Sequence, residues 1–214
     1  MTLPDLKFDG GPDRARTVVL AHGAGQPMDS PFMNVFAEGL ADAGLRVARF
    51  EFPYMAAWRR GGGRKAPDRP KVLMRTWKEV VAGLGGGAAL VIGGKSMGGR
   101  MASMVADEVG ARGLVCLGYP FHAAGRPDAP RIAHLARLAT PTLIVQGTRD
   151  SMGRRDEVAA YGLGGPIAIH WIEDGDHSFK PRKSTGRPQA EAWREGIAAV
   201  AAFLARLEPE ADPG

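Results

Sequence analysis

The residues best suited to covalent chemistry lie in the run Leu90-Val91-Ile92-Gly93-Gly94-Lys95-Ser96-Met97-Gly98-Gly99-Arg100, where an apolar strand meets a serine flanked by glycines. Gly94 to Gly98 has the GxSxG spacing of a nucleophile elbow, a sharp strand-to-helix turn that exposes the serine hydroxyl. Small residues at Gly94 and Gly98 let strand and helix approach without a Cβ clash. Ser96 is therefore the candidate nucleophile. In a chain with 30 glycines the pattern also arises as a plain glycine-rich turn, so its partners must decide.

Two phosphate-binding readings compete for the same glycines. Gly94-Lys95-Ser96 resembles the end of a Walker A loop, but the first glycine slot of that loop falls on Ala89, and the amides that would cradle a phosphate are missing. Gly23-Ala24-Gly25 follows an apolar run and could open a dinucleotide fingerprint. There the third glycine slot is Met28, and Pro27 and Pro31 interrupt the turn; Glu51, near the end of the next run, is the one feature in favour.

The elements that position these residues follow from hydrophobic periodicity. Short apolar runs at 17–21, 46–52, 88–93, 113–117, 142–146 and 167–172 read as strands. Amphipathic or alanine-rich stretches at 31–43, 72–82, 98–109, 131–138, 156–161 and 188–207 read as helices. The alternation predicts an α/β fold in one domain: about six mostly parallel strands with helices on both faces and no cap. The tail 208–214, acidic and proline-bearing, reads as frayed. In such a sheet, ligands bind beyond the carboxyl ends of the strands, so post-strand residues converge. They are His22 to Gly25, then Ser96, then Gly147-Thr148-Arg149-Asp150, then Glu173 to Phe179 with His177. Their chain order is serine, acid, histidine.

Composition narrows the classes. A chain of 214 residues, 44% of them hydrophobic, can bury a continuous core. No window approaches the roughly 18 apolar residues of a membrane span, and the opening Met-Thr-Leu-Pro-Asp-Leu-Lys lacks an apolar signal region, so a cytoplasmic protein without a membrane partner is expected. The lone Cys116 sits in an apolar run and reads as a small buried hydrophobe. Much of the net charge of +5 is local: residues 58–71 hold six basic residues and one acid on a glycine- and proline-rich segment. The segment reads first as a solvated loop, second as a rim that attracts an anionic substrate, and last as a nucleic-acid contact, since no nucleic-acid module accompanies it. A weaker basic cluster, Lys180 to Arg187, follows His177.

With these loops assembled, the sequence resembles a small α/β-hydrolase of the dienelactone-hydrolase-like branch, from about Thr17 to Leu207. The resemblance implies Ser96 as nucleophile, His177 as base and Asp150 as the acid that orients it. It also implies an oxyanion hole from the backbone N–H groups of Met97 and Ala24, with Gly25 as an alternative donor. Dienelactone hydrolases carry cysteine in the elbow, so their lactone substrate does not transfer to Ser96. The chain also begins close to the family's third strand, which implies a minimal six-stranded core with an open site.

Each residue has a plainer reading beside this one. Asp150 could cap the next helix, with Ser151 and Asp156 competing for that role, and His177 could be an ordinary loop histidine. Asp174 and Asp176 are poorer candidates for the acid, being sequence neighbours of His177. His22 reads as a brace for its own loop. His122, His134 and His170 lack metal-ligand spacing, so neither metal nor cofactor is expected. Tyr54, Met55, Trp58, Tyr119 and Phe121 follow strand ends and would line an acyl pocket, or else belong to the core. The expectation is a serine hydrolase with an acyl-enzyme mechanism, acting on a small carboxylic ester or thioester, neutral or anionic. A non-catalytic interaction module on the same fold is the main alternative, and a nucleotide-binding protein the third. Nothing in the sequence specifies an oligomeric state.

Overall fold

The computed structural model describes residues 3–13 and 16–207; the expected frayed tail 208–214 lies outside the described residues. Seven strands form one sheet in the order β1-β3-β2-β4-β5-β6-β7. They are β1 (Leu6–Asp9), β2 (Thr17–Ala21), β3 (Arg46–Phe50), β4 (Leu90–Lys95), β5 (Gly113–Leu117), β6 (Thr142–Gly147) and β7 (Ile167–Ile172). All neighbours from β3 to β7 pair in parallel, and β1 alone runs antiparallel, against β3.

The central strands are apolar on both faces because both faces are covered. On one side, Val18, Leu20, Val91, Val115 and Val145 pack with Phe36 and Leu40 of α1 (Pro31–Asp42) and Val200 and Leu204 of α6 (Gln189–Arg206). On the other, Val19, Ala21, Ile92, Cys116 and Ile144 meet Trp77 and Val80 of α3 (Pro70–Gly83) and Met101 of α4 (Met97–Ser103). Val18 and Val19 thus serve opposite layers, the period of two that a strand imposes. Burial pushes the Cys116 thiol well above its ordinary range, the state of an unreactive core residue.

The sheet has one strand more than the expected six, and it begins at Leu6 rather than Thr17. Four residues, Leu-Lys-Phe-Asp, are too short for alternation to identify, and β1 is held by a side chain from its partner strand. Arg49, fully buried in β3, donates to both Asp9 carboxylate oxygens at 2.9 Å and to Asn34 Oδ1 at 2.6 Å.

The helices also differ from expectation. The elbow helix α4 ends at Ser103 rather than Val109, and 131–138 holds only a 3-10 turn, Leu135–Arg137. The segment read as a basic loop starts as structure: α2 (Pro53–Ala57) continues into a π-helical turn, Trp58–Gly62, and Pro70 and Lys71 already belong to α3. A short α5 (Arg155–Ala159) follows β6. Among the described residues no helix is long and apolar enough to cross a membrane.

Candidate active site

Because β2 to β7 share one direction, their carboxyl ends lie along one edge of the sheet, and the loops that leave them carry the chemistry-bearing side chains. Ser96 sits between β4 and α4 at φ 51° and ψ −115°, a conformation uncommon for a residue with a side chain. Its N–H is held by Leu117 O at 3.0 Å, and its carbonyl accepts the first helical bond from Arg100 N at 2.9 Å. A Cβ on Gly94 would lie 2.1 Å from Ala21 O, and one on Gly98 would lie 2.4 Å from Ala21 O and 2.7 Å from His22 O. The two motif glycines therefore let the elbow press against the end of β2. Ser96 and Met97 remain partly exposed at the surface.

From Ser96 an unbroken relay runs into the protein. Ser96 Oγ is 2.8 Å from His177 Nε2, and His177 Nδ1 is 2.7 Å from Asp150 Oδ2. Asp150 is fully buried, and its oxygens also accept from Gln146 Nε2 at 2.9 Å and Met152 N at 2.8 Å. A carboxylate surrounded by donors acts purely as an acceptor, so the imidazole proton resides on Nδ1 and leaves the Nε2 lone pair facing the serine. Gln146 is itself locked, its Oε1 accepting from Tyr119 N at 2.7 Å. Asp174 and Asp176 lie elsewhere: Asp174 pairs with Arg149 and Arg182, while Asp176 Oδ1 accepts from Ser178 N and Lys180 N and so shapes the His177 loop.

The turn after β2 lies against the elbow, since a Cβ on Gly23 would come 3.7 Å from Ser96 Cβ. His22 is fully buried beneath it, donating from Nδ1 to Gly23 O at 2.7 Å and accepting at Nε2 from Phe52 N at 3.1 Å. Burial is the main cause of its lowered pKa, and the acceptor role of Nε2 requires the neutral ring. Tyr54 Oη donates to Ala24 O at 2.9 Å, which turns that carbonyl inward. The expected oxyanion donors, Ala24, Gly25 and Met97, are thus on a braced turn and on the residue after the serine.

The aromatic residues expected to line a pocket divide. Tyr119 and Phe121 are fully buried, Tyr54 is 4% exposed and Met55 2%, so these four belong to the core and only Trp58 is partly exposed. Tyr119 and Tyr54 instead hydrogen-bond Gln146 and the Ala24 carbonyl. Trp58, with Pro27, Arg59 and the edge of Met55, lines a small cleft of about 170 Å³ on the side where α2 packs, which includes no residue of the relay. Its wall is fixed by Arg59, which pairs with Glu51 and Asp29. Glu51, the one feature that favoured a dinucleotide site, is thereby occupied. A larger cavity of about 650 Å³ opens between the N-terminal segment and α3, lined by residues such as Leu3, Glu51, Arg75 and Glu79, and includes no residue of the relay.

Two site residues were not anticipated as such. Gln146 is a lone polar side chain at the end of an apolar strand, four residues before Asp150; that contrast was the available signal. Lys95 was weighed only as a phosphate-binding lysine, yet its Nζ lies buried and donates to His177 O at 2.5 Å. The remaining histidines bond elsewhere: His134 to Ser103, His170 to Glu195, and His122 to Ala123 O. Among the described residues no cluster of three or more histidine, cysteine or acidic groups could hold a metal.

Solved structures share this architecture. A serine hydrolase homologue from Coxiella burnetii superposes with a TM-score of 0.68 at 19% identity, covering 91% of this chain and 89% of that one. A serine hydrolase without lid from Xanthomonas campestris gives 0.63 at 20% identity, with 92% and 88% covered. The monoacylglycerol lipase of Paleococcus ferrophilus gives 0.67 at 16% identity, with 94% and 99% covered. At these identities the likeness is one of fold, and like the Xanthomonas protein this chain carries no evident cap over the elbow. Its sequence matches the family described as alpha/beta hydrolase domain over residues 14–205, and the chain belongs to that family.

Proposed function

We propose that the protein is a serine hydrolase that cleaves small carboxylic esters or thioesters through an acyl-enzyme. The observation that carries this reading is the relay Ser96 to His177 to Asp150, with contacts of 2.8 and 2.7 Å, beneath a surface that substrate can reach. A serine hydroxyl is a weak nucleophile at neutral pH, and His177 Nε2 is aligned to take its proton as Oγ attacks the acyl carbon. Asp150 holds the ring in the tautomer that permits this and stabilises the imidazolium that results. The N–H groups of Met97 and Ala24, or Gly25 in its place, would receive the developing oxyanion, where one donor is typically worth about 3 kcal/mol. His177 then returns the proton to the leaving alcohol or thiol, and water repeats the cycle to release the acid.

The uncapped elbow, with Ser96 partly exposed at the surface, favours a small ester. The basic turn beyond Trp58 favours an anionic one, with Arg64 stacked 5.6 Å from the Trp58 ring.

The test is labelling of the purified protein by a small fluorophosphonate, comparing wild type with Ser96→Ala and His177→Ala. Label that vanishes in both variants supports the reading, and p-nitrophenyl esters of increasing chain length and charge then define the acyl group. A folded wild type that takes no label overturns it in favour of a non-catalytic interaction module.

A further inference from the structure

Lys95 immediately precedes Ser96 but its side chain runs the other way, under the loop that carries His177. Its Nζ donates to His177 O at 2.5 Å, a strand-end lysine reaching the main chain of a residue 82 positions later. The pocket is built for this contact. Gly118, at the end of β5, has φ +67°, and a Cβ there would lie 2.8 Å from both Lys95 Nζ and His177 O. A side chain at 118 would therefore occupy the contact itself. The ammonium also faces the rings of Phe32 and Phe179 at 5.3 and 6.0 Å from their centroids. The aromatic faces supply cation–π attraction where water is excluded.

A buried lysine that bonds the backbone of the candidate base is costly unless it performs a task, because desolvation disfavours its charge. Resting on the hydrolase reading above, we propose that Lys95 is a positioning residue, whose ammonium clamps the His177 carbonyl and so sets the reach of the imidazole toward Ser96. The clamp joins the nucleophile strand to the base loop directly. Any slack in either is then taken up before it reaches the Oγ–Nε2 contact, where displacement by about 1 Å can cost on the order of 100-fold in rate.

The clamp makes the site sensitive to alkali. Burial holds the Lys95 pKa down to about 8, against the opposing charges of Asp150 and Asp176. The groups that face it are Asp150 from the loop after β6, Asp176 and His177 from the loop after β7, Phe32 from α1 and Phe179, with Gly23 and Gly118 at the ends of β2 and β5. Above that pKa the ammonium becomes an amine, a weaker donor, and the imidazole loosens. An alkaline decline in activity follows, beginning near the lysine's own titration.

The test uses Lys95→Met, which fills the aromatic pocket without charge, with the exposed Lys183→Met as a control. Hydrolysis of p-nitrophenyl acetate and fluorophosphonate labelling are followed across pH. The expected result is a kcat lower by roughly 10- to 100-fold with KM within about twofold of wild type, and loss of the alkaline limb that wild type and Lys183→Met retain. Wild-type kcat and an unchanged limb in Lys95→Met would overturn the proposal. A second readout needs no turnover: the downfield proton resonance of the His177 Nδ1–H bonded to Asp150. The clamp predicts that this resonance shifts or broadens in Lys95→Met, and an unchanged resonance counts against it even if the wild type takes no label and the hydrolase reading has failed.

Discussion

Gln146 Nε2 and His177 Nδ1 converge on the same atom, Asp150 Oδ2, at 2.9 and 2.7 Å. The glutamine therefore decides where the acid points before the histidine reaches it. Its carbonyl oxygen is meanwhile committed to Tyr119 N, so the group bridges the ends of β5 and β6. Gln146→Leu, of similar size, strands the buried Tyr119 N–H and removes a donor from the carboxylate. We expect a loss of about 1–3 kcal/mol in urea unfolding. A fall in kcat should accompany it, since Asp150 then keeps only Met152 N on Oδ1 and His177 on Oδ2 to fix its direction. Normal stability together with normal turnover would show that Met152 N alone orients the acid.

Asp150→Asn separates charge from shape. The amide has one oxygen: with that oxygen accepting from Met152 N, its NH2 group takes the place of Oδ2, gives up the contact to Gln146 Nε2, and toward His177 favours the tautomer protonated on Nε2, which cannot accept from Ser96. A loss of kcat on the order of 10,000-fold is expected, with a modest fall in melting temperature from the lost Gln146 contact. Steady-state hydrolysis and circular dichroism on the same preparation check both halves. A loss of only about tenfold would show that Asp150 is an anchor for its loop rather than the orienting acid.

How much of this was legible beforehand depended on how local each signal is. The elbow was readable at Ser96 because a strand, a serine and two close-approach glycines occupy neighbouring positions. Asp150 and His177 were readable because strand direction alone carries them to the same edge. Tyr119 and Phe121 misled for the same reason: they also follow a strand end, but their rings turn inward, and only the packing of Phe121 against Gly153 and Tyr161 and of Tyr119 against Phe121 reveals it. Strand β1 escaped because its identity rests on a partner 40 residues away, the Asp9–Arg49 pair. Lys95 escaped because its meaning lies in a carbonyl on a different loop.

Gly98 tests the approach of the elbow to the turn after β2. The Cβ of Gly98→Ala would sit 2.4 Å from Ala21 O and 2.7 Å from His22 O, both backbone atoms that cannot rotate away. The helix must retreat, and Met97 N–H retreats with it. Overpacking of this kind costs about 1–3 kcal/mol. Fluorophosphonate labelling should slow by more than melting falls, because the hydrogen-bond relay tolerates less displacement than the fold. Labelling at the wild-type rate would mean that the turn follows the helix.

His22 supplies a pH dependence of stability whose sign follows from its burial. Its folded pKa is lowered from 6.5, chiefly by desolvation, so in acid the unfolded chain takes up the proton more readily than the native one. Stability contributed by the neutral ring is therefore complete above about pH 6.5 and declines as pH falls through the window below it. Within that window the bond from Phe52 N competes with protonation of Nε2, and the turn that carries Ala24 is the first segment to lose its brace. His134 adds a decline of the same sign, being lowered by burial and by Arg100. His22→Gln cannot titrate, so urea unfolding at about pH 7.5 and about pH 5 should show a smaller difference than in wild type. An equal difference in the two proteins would mean that His22 is already free to protonate in the native state.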